Sequence, residues 1–148
     1  MSEGSNYPKL VLVEDDQALR AVLEIALSDE GFEVVTANDG TAGLKKLEES
    51  GSHFKALITD IRLGKGPDGW DVGHRARELI SGVPVVYMSG DSSHEWSANG
   101  VPESVMLQKP FVIAQLITAV TNLLNSAGNV TALSIATISD CETDPSSD

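Results

Sequence analysis

Residues 10–16 read Leu-Val-Leu-Val-Glu-Asp-Asp, a short apolar run that ends abruptly in three acids. Such a run favours a buried strand. From Leu19 onward, apolar residues recur at the three- and four-residue intervals that are typical of an amphipathic helix. Gly31 is suited to end that helix, because a left-handed cap costs glycine nothing. The stretch therefore predicts a strand, an acidic turn and a helix in succession.

The same alternation continues along the chain. Further apolar runs predict strands at 32–37, 56–59, 84–88 and 104–107, and helical patterns lie between and after them, weakest at 91–99 and clearest at 112–124. Since parallel strands require crossover connections, this order predicts an α/β fold with a doubly wound, five-stranded parallel sheet in a three-layer sandwich. Runs that are apolar at nearly every position fit strands buried on both sides.

Composition limits the possible functions. The 148 residues suffice for one domain, and 22 Asp and Glu against 10 Lys and Arg give a net charge of −12. That balance disfavours binding to nucleic acid or to an anionic membrane surface. No apolar run approaches the length of a bilayer span and no secretory signal is visible, so we expect a cytoplasmic protein. A single cysteine, Cys141, excludes an internal disulfide.

The chain divides into three regions by composition. We expect an N-terminal extension at 1–8, a folded domain at 9–126 and an acidic Ser/Thr-rich tail at 127–148. Within the tail, residues 130–138 are apolar and rich in β-branched side chains. This stretch is interpreted either as a docking segment against the domain or a partner, or as part of a further region.

Polar side chains follow four of the predicted strands. Acids at 14–16 follow the first, Asp60 the third, Ser89 the fourth and Lys109 the fifth. Because ligands bind at the carboxyl ends of parallel strands, these groups are expected to converge on one edge of the sheet. Asp16 is better explained as the N-cap of the first helix.

Clustered carboxylates need a compensating charge. Two unit charges about 4 Å apart repel by roughly 4 kcal/mol at an effective dielectric constant near 20. Hard oxygen ligands without His or Cys favour Mg²⁺. Glu14, Asp15 and Asp60 contribute −3, which Mg²⁺ and Lys109 would balance. The neutralised site would attract a phosphoryl group, and a carboxylate can serve as its nucleophile.

Four segments carry a family resemblance, in the order in which that family has them. They are Leu-Val-Glu-Asp-Asp ending at Asp16, Leu-Ile-Thr-Asp-Ile-Arg-Leu around Asp60, Val-Tyr-Met-Ser-Gly around Ser89 and Leu-Gln-Lys-Pro-Phe around Lys109. Over residues 9–125 the chain resembles the receiver domain of bacterial two-component response regulators. The resemblance implies a flavodoxin-like sheet of strand order 2-1-3-4-5.

The resemblance also implies roles for individual residues. Asp60 would accept a phosphoryl group from a histidine kinase or histidine phosphotransfer protein. Asp15 and Asp60 would bind Mg²⁺ directly, Glu14 through water, and Arg62 through its main-chain carbonyl. The Ser89 hydroxyl and Lys109 would contact the phosphoryl group, and the peptide bond between Lys109 and Pro110 is expected to be cis.

On the same basis, the output would be contact with a downstream protein rather than catalysis, apart from the chain's own phosphorylation and dephosphorylation. A homodimer through the fourth helix, fifth strand and fifth helix is possible in this family.

Two features depart from the usual family pattern. Met106 stands where the family often has Tyr or Phe, which argues against a rotating aromatic switch, although a flexible methionine can repack. The loop at 63–70 is long and rich in glycine. Together with Tyr-Met-Ser-Gly and Gln-Lys-Pro-Phe, it resembles a stand-alone alphaproteobacterial subgroup.

Three alternatives remain at this level. The chain could be a receiver module of a larger hybrid kinase or regulator. A phosphohydrolase of the haloacid-dehalogenase type usually has a second Asp where Arg62 stands. A flavodoxin-like flavin carrier needs a phosphate-binding loop where this chain places acids at 14–16.

Overall fold

Strands and helices alternate through the computed structural model, which describes residues 7–50, 53–91 and 93–128. The described strands are β1 (Lys9–Val13), β2 (Glu33–Ala37), β3 (Phe54–Asp60), β4 (Val85–Ser89) and β5 (Val105–Gln108). The described helices are α1 (Gln17–Asp29), α2 (Gly40–Ser50), α3 (Gly69–Leu79), α4 (Trp96–Asn99) and α5 (Ile113–Gly128). A 3₁₀ turn at Ser93–Glu95 precedes α4.

The strands form one parallel sheet in the order β2-β1-β3-β4-β5. The core on one face includes Leu47 of α2 and Val72 of α3. The core on the other face includes Leu23 of α1 and Leu116 of α5. Helices therefore cover both faces, and the predicted doubly wound, three-layer fold with strand order 2-1-3-4-5 is confirmed.

Burial explains why the strands read as continuous apolar runs. Every residue of β4 is buried, as are residues 10–13 of β1 and residues 56–60 of β3. These three strands occupy the centre of the sheet, where both faces are packed. The edge strands β2 and β5 are mostly half-buried.

Local signals set the helix ends. The carboxylate of Asp16 accepts a hydrogen bond from the backbone N–H of Leu19 at 3.0 Å, which confirms the predicted N-cap of α1. Gly31 adopts a φ of 97°, as expected just beyond the end of that helix. Asp68 and Asp71 form a reciprocal capping box at the start of α3.

The region 91–99 differs most from ordinary helical structure, in line with its weak pattern. It holds one 3₁₀ turn and the four-residue α4, none of whose residues is buried. Side-chain hydrogen bonds hold this segment in place. The indole Nε1 of Trp96 donates to Oγ of Ser104 at 2.8 Å, and the His74 ring hydrogen-bonds the carbonyl oxygen of Asn99 at 2.8 Å.

Boundaries shift by one or two residues elsewhere. Strands β4 and β5 each begin one residue later than predicted, and α5 continues to Gly128, beyond the proposed boundary at 126. Residues 129–148, with the apolar stretch 130–138 and Cys141, lie outside the described residues. Among the helices of the described part of the chain, none has the length and apolar character needed to cross a bilayer.

Candidate functional site

Three carboxylates meet at the carboxyl edge of the sheet. Glu14 and Asp15 directly follow β1, and Asp60 is the last residue of the neighbouring strand β3. One ligand oxygen from each of the three lies within 4.8 Å of the others. Glu14 and Asp60 are buried, whereas Asp15 is exposed to solvent. The sheet thus brings Asp60 beside two residues that are 45 and 46 positions away in sequence, because their strands end side by side.

Lys109 lies between two of these acids. Its Nζ donates to Oε1 of Glu14 at 3.0 Å and to Oδ2 of Asp60 at 3.1 Å. The backbone N–H of Lys109 donates to the carbonyl of Ser89 at 2.7 Å, which ties the end of β5 to the end of β4. The peptide bond between Lys109 and Pro110 is cis, as the resemblance implied.

Glu14 is the most deeply buried acid of the group. Its side chain has no solvent exposure, and its Oε2 accepts a hydrogen bond from the backbone N–H of Asp16 at 3.1 Å. The pKa of Glu14 is raised to about 7, chiefly by burial; the Lys109 hydrogen bond opposes this rise and the charge on Asp60 adds to it. The site therefore holds more negative charge than its own residues stabilise.

The same surroundings also shift the pKa of Lys109. Burial lowers its pKa, but the hydrogen bond to Glu14 and the charges on Asp60 and Glu14 raise it by more, so the net shift is upward. Lys109 is consequently held as a cation between the two carboxylates.

Ser89 and Arg62 occupy the rim of the site on the β4 side. Ser89 ends β4 and is buried, and its Oγ accepts a hydrogen bond from the backbone N–H of Asp91 at 3.2 Å. The Arg62 guanidinium donates to Oδ1 of Asp91 at 2.9 Å, with both side chains largely exposed. The role foreseen for Arg62 involves its main-chain carbonyl and stays a prediction.

The close packing of α3 on the sheet was not foreseen from the sequence. The ring of Trp70, in the first turn of α3, lies 4.8 Å from that of Tyr87. A side chain at Gly73 would overlap the Tyr87 hydroxyl, and one at Gly69 would overlap the backbone carbonyl of Asp60. Glycine at these positions lets α3 approach the sheet closely.

Two polar partners were also missed. Arg20 donates to the main-chain carbonyl of Glu14 at 2.8 Å, and Asp91 contacts both Arg62 and the Ser89 hydroxyl. The spacing of Asp91, two residues after the strand-end serine, was the signal that could have found it. Met106 is half-buried against the core that α2 and α3 cover.

A family comparison agrees with this architecture. The model of the response regulator receiver domain matches residues 10–121. The chain belongs to this family. The two-component receiver interpretation is therefore confirmed, in preference to a phosphohydrolase or a flavin carrier.

Individual relatives support the assignment of this receiver domain. It is 34% identical over 140 residues to the transcriptional regulatory protein PrrA of Mycobacterium tuberculosis, an alignment that covers 93% of this chain and 59% of PrrA. The chain thus spans about three fifths of the length of that relative. A response regulator receiver protein from Sinorhizobium medicae is 42% identical, with a TM-score of 0.78, covering 82% of this chain and 97% of that one.

One solved neighbour was crystallised with ligands. The response regulator TrrA of Thermotoga maritima, in complex with Mg²⁺–BeF, is 25% identical with a TM-score of 0.69, covering 78% of this chain and 98% of TrrA. In the receiver domain described here, the clustered donors are three carboxylates without His or Cys. Hard oxygen donors of this number suit Mg²⁺, which retains several of its waters.

Proposed function

We propose that Asp60 of this receiver domain accepts a phosphoryl group from a phosphohistidine, carried by a histidine kinase or a histidine phosphotransfer protein. The main support for this proposal is the position of Asp60. Its carboxylate lies at the end of a buried strand, beside two further acids and in contact with the Lys109 ammonium. That environment concentrates a nucleophile and a fixed positive charge at one point of the surface.

In the proposed transfer, a carboxylate oxygen of Asp60 forms a bond to phosphorus. The phosphorus–nitrogen bond of the phosphohistidine breaks, and the imidazole keeps the electron pair and takes up a proton. The product is an aspartyl phosphate. The Lys109 ammonium already donates a hydrogen bond to Oδ2 of Asp60, and it is therefore positioned to bind the phosphoryl oxygens.

The same proposal assigns Glu14, Asp15, Asp60 and the carbonyl of Arg62 to a Mg²⁺ site. When bound, Mg²⁺ would offset the carboxylates and the phosphoryl charge. The clustering of the three acids and the raised pKa of buried Glu14 support a cation there. Asp15 is the exposed member and would be the first to meet a cation that arrives from solvent.

Signal output is proposed to follow from the added charge of about −1.5 to −2. The Ser89 hydroxyl and Lys109 would move toward the phosphoryl group, and the segment after β4 would follow. Ser89 and Asp91 are linked by a hydrogen bond, and α4, just beyond, buries none of its residues. The resulting change of population would alter contact with a downstream protein. Apart from promoting its own phosphorylation and dephosphorylation, the chain is not proposed to be an enzyme.

We place this activity in the cytoplasm and expect no contact with nucleic acid or membrane, in line with the net charge of −12. The alternative that this receiver is one module of a longer regulator or hybrid kinase is supported by the length comparison, since the chain covers 59% of PrrA. The phosphoryl chemistry is the same in both cases.

The test is incubation of the chain with acetyl phosphate and Mg²⁺, followed by intact mass measurement. We expect a gain of one phosphoryl group that is lost in Asp60→Asn and when Mg²⁺ is chelated. Asp16→Asn is the matched control, because it removes a nearby carboxylate while asparagine still caps α1. Labelling that persists unchanged in Asp60→Asn would contradict the proposal.

A further inference from the structure

The outer side of α5 forms a groove with the edge strand β5. The groove has a volume of about 520 Å³. On the strand side, Val105 and Leu107 line it, and on the helix side the lining includes a row at four-residue spacing: Ala114, Thr118, Asn122 and Ser126. None of the lining residues, all within the described part of the chain, carries a charge. Solvent-facing helix surfaces are ordinarily charged or strongly polar, so this one is suited to being covered.

The absence of charge extends beyond the groove into the following sequence. Residues 111–139 contain no Asp, Glu, Lys, Arg or His, in a chain where charged residues make up 22%. The uncharged stretch thus includes all of α5 and the apolar segment 130–138, and it ends at Asp140. A groove and a segment that both lack charges come together without desolvating an ion.

Position and length match as well. The groove ends at Ser126, two residues before the end of α5 at Gly128, so the sequence that follows the helix would start beside the groove. The helix row from Ala114 to Ser126 rises by about 18 Å at 1.5 Å per residue. Nine extended residues span up to about 30 Å. Segment 130–138 is therefore long enough to run back along the whole groove.

We propose that segment 130–138 docks into the groove between α5 and β5 of its own chain. Val130, Leu133, Ile135 and Ile138 supply the apolar side chains, which cover Val105, Leu107 and the α5 row.

The segment lies against side chains in this proposal and does not add a sixth parallel strand. Helix α5 packs on the same face of the sheet as α1, whereas α3, which connects β3 to β4, packs on the opposite face. A strand beyond β5 reached over the α5 face would have the opposite hand to the β3-α3-β4 crossover. Left-handed crossovers between parallel strands are rare. The occupied surface would be the side-chain groove, where a second copy of the chain would otherwise compete.

The single cysteine allows a direct test on the 148-residue chain. A nitroxide attached to Cys141 is compared in its oxidised and reduced forms by two-dimensional NMR of ¹⁵N-labelled protein, without phosphorylation. We expect selective broadening of amides along the groove, including Leu107, Gln115 and Thr118, and sharp signals from β2 at the far edge. Uniformly sharp signals in the oxidised form would overturn the proposal.

Matched variants locate the contact. Thr118→Lys places a charge in the groove, whereas Thr121→Lys places the same charge on an exposed position of α5 outside it. We expect Thr118→Lys to lower the docked-to-free ratio by about tenfold and Thr121→Lys to leave the broadening unchanged. Equal effects of the two variants would contradict docking in this groove.

A mixing experiment distinguishes docking within one chain from docking onto a second copy of the chain. Unlabelled chains that carry the nitroxide are mixed with ¹⁵N-labelled chains that lack it. Docking within one chain predicts no broadening in the mixture. Broadening that grows with concentration would assign the groove to a second copy and overturn the proposal. Since phosphorylation is absent throughout, the result is independent of the function proposed for Asp60.

Discussion

The ammonium of Lys109 lies 3.0 Å from Oε1 of Glu14, a side chain with no solvent exposure, although the two residues are 95 positions apart in sequence. The same ammonium contacts Asp60 at 3.1 Å. One cation therefore compensates two buried acids, while Asp15 adds a third, exposed negative charge to the cluster. One lysine thus faces three carboxyl groups, and the negative charge of the site is only partly compensated. Its response to protons, to cations and to mutation follows from this partial compensation.

Replacing Lys109 should leave the carboxylates of Glu14 and Asp60 without a compensating positive charge. We expect Lys109→Met to lower the free energy of unfolding by about 2 kcal/mol without Mg²⁺, because two charged hydrogen bonds are lost. Added Mg²⁺ should stabilise the variant more than the parent, since a competing positive charge is gone. Urea denaturation with EDTA and with Mg²⁺ measures both effects. Lys45→Met, at an exposed position of α2, is the control; equal Mg²⁺ stabilisation of Lys109→Met and the parent would contradict the explanation.

Glu14 should make stability depend on pH in the metal-free protein. Its pKa is about 7 in the folded state and near 4.5 when unfolded, so the folded state binds the proton more tightly. The associated stability is present below pH 4.5 and is lost as the pH rises through 7, a change of up to about 3 kcal/mol. Urea denaturation in EDTA at pH 5 and pH 8 should show a larger fall for the parent than for Glu14→Gln. Parallel behaviour of the two proteins would count against a buried, protonated Glu14.

The contact between α3 and β4 should be intolerant of one added methyl group. A side chain at Gly73 overlaps the Tyr87 hydroxyl, and overpacking of this kind costs about 1–3 kcal/mol. Tyr87→Phe alone should cost about 1 kcal/mol, because the hydroxyl accepts a hydrogen bond from the Val101 N–H at 3.1 Å. The combination with Gly73→Ala should lose less than the sum of the two, since removing the hydroxyl relieves the overlap. Additive losses in urea denaturation would show that the overlap is relieved elsewhere.

The capping box of α3 should make a measurable contribution to the stability of the fold. Asp68→Ala removes the acceptor for the Asp71 N–H and is expected to cost about 1 kcal/mol. Asp68→Asn retains an oxygen acceptor at the same position and should be nearly neutral. Thermal unfolding of the two variants beside the parent distinguishes capping from a charge effect. If only the lost negative charge mattered, both variants would lose the same stability.

Much of the fold and of the site could be predicted because both depend on short-range signals. Each central strand is apolar throughout since both of its faces are packed, and each functional side chain stands at the residue where such a run stops. Asp60, Ser89 and Lys109 are recognisable for that reason. The parallel arrangement then requires their strand ends to lie on one edge, whatever their separation in sequence.

What could not be predicted depends on contacts across the fold. Nothing local marks Gly73 as a residue that faces the Tyr87 hydroxyl, or Arg20 as a donor to the Glu14 carbonyl. The short α4 is a further case, because its position depends on bonds from Trp96 to Ser104 and from His74 to Asn99. A weak helical pattern shows that a segment has no apolar stripe with which to pack on the core. It does not show which distant groups form the hydrogen bonds that fix the segment in place.

The unequal covering of the two sheet edges has a mechanical consequence. Strand β2 is flanked by the 13-residue α1 and the 11-residue α2. Strand β5 has the 16-residue α5 beside it, but otherwise adjoins only the four-residue α4, which buries none of its side chains. Elements with few buried contacts open at lower free energy than packed ones. We thus expect a displacement that starts at Asp60 to meet less resistance toward α4 than toward β2. We therefore expect the surface around α4 to move most on phosphorylation, and a partner that senses this displacement to bind there.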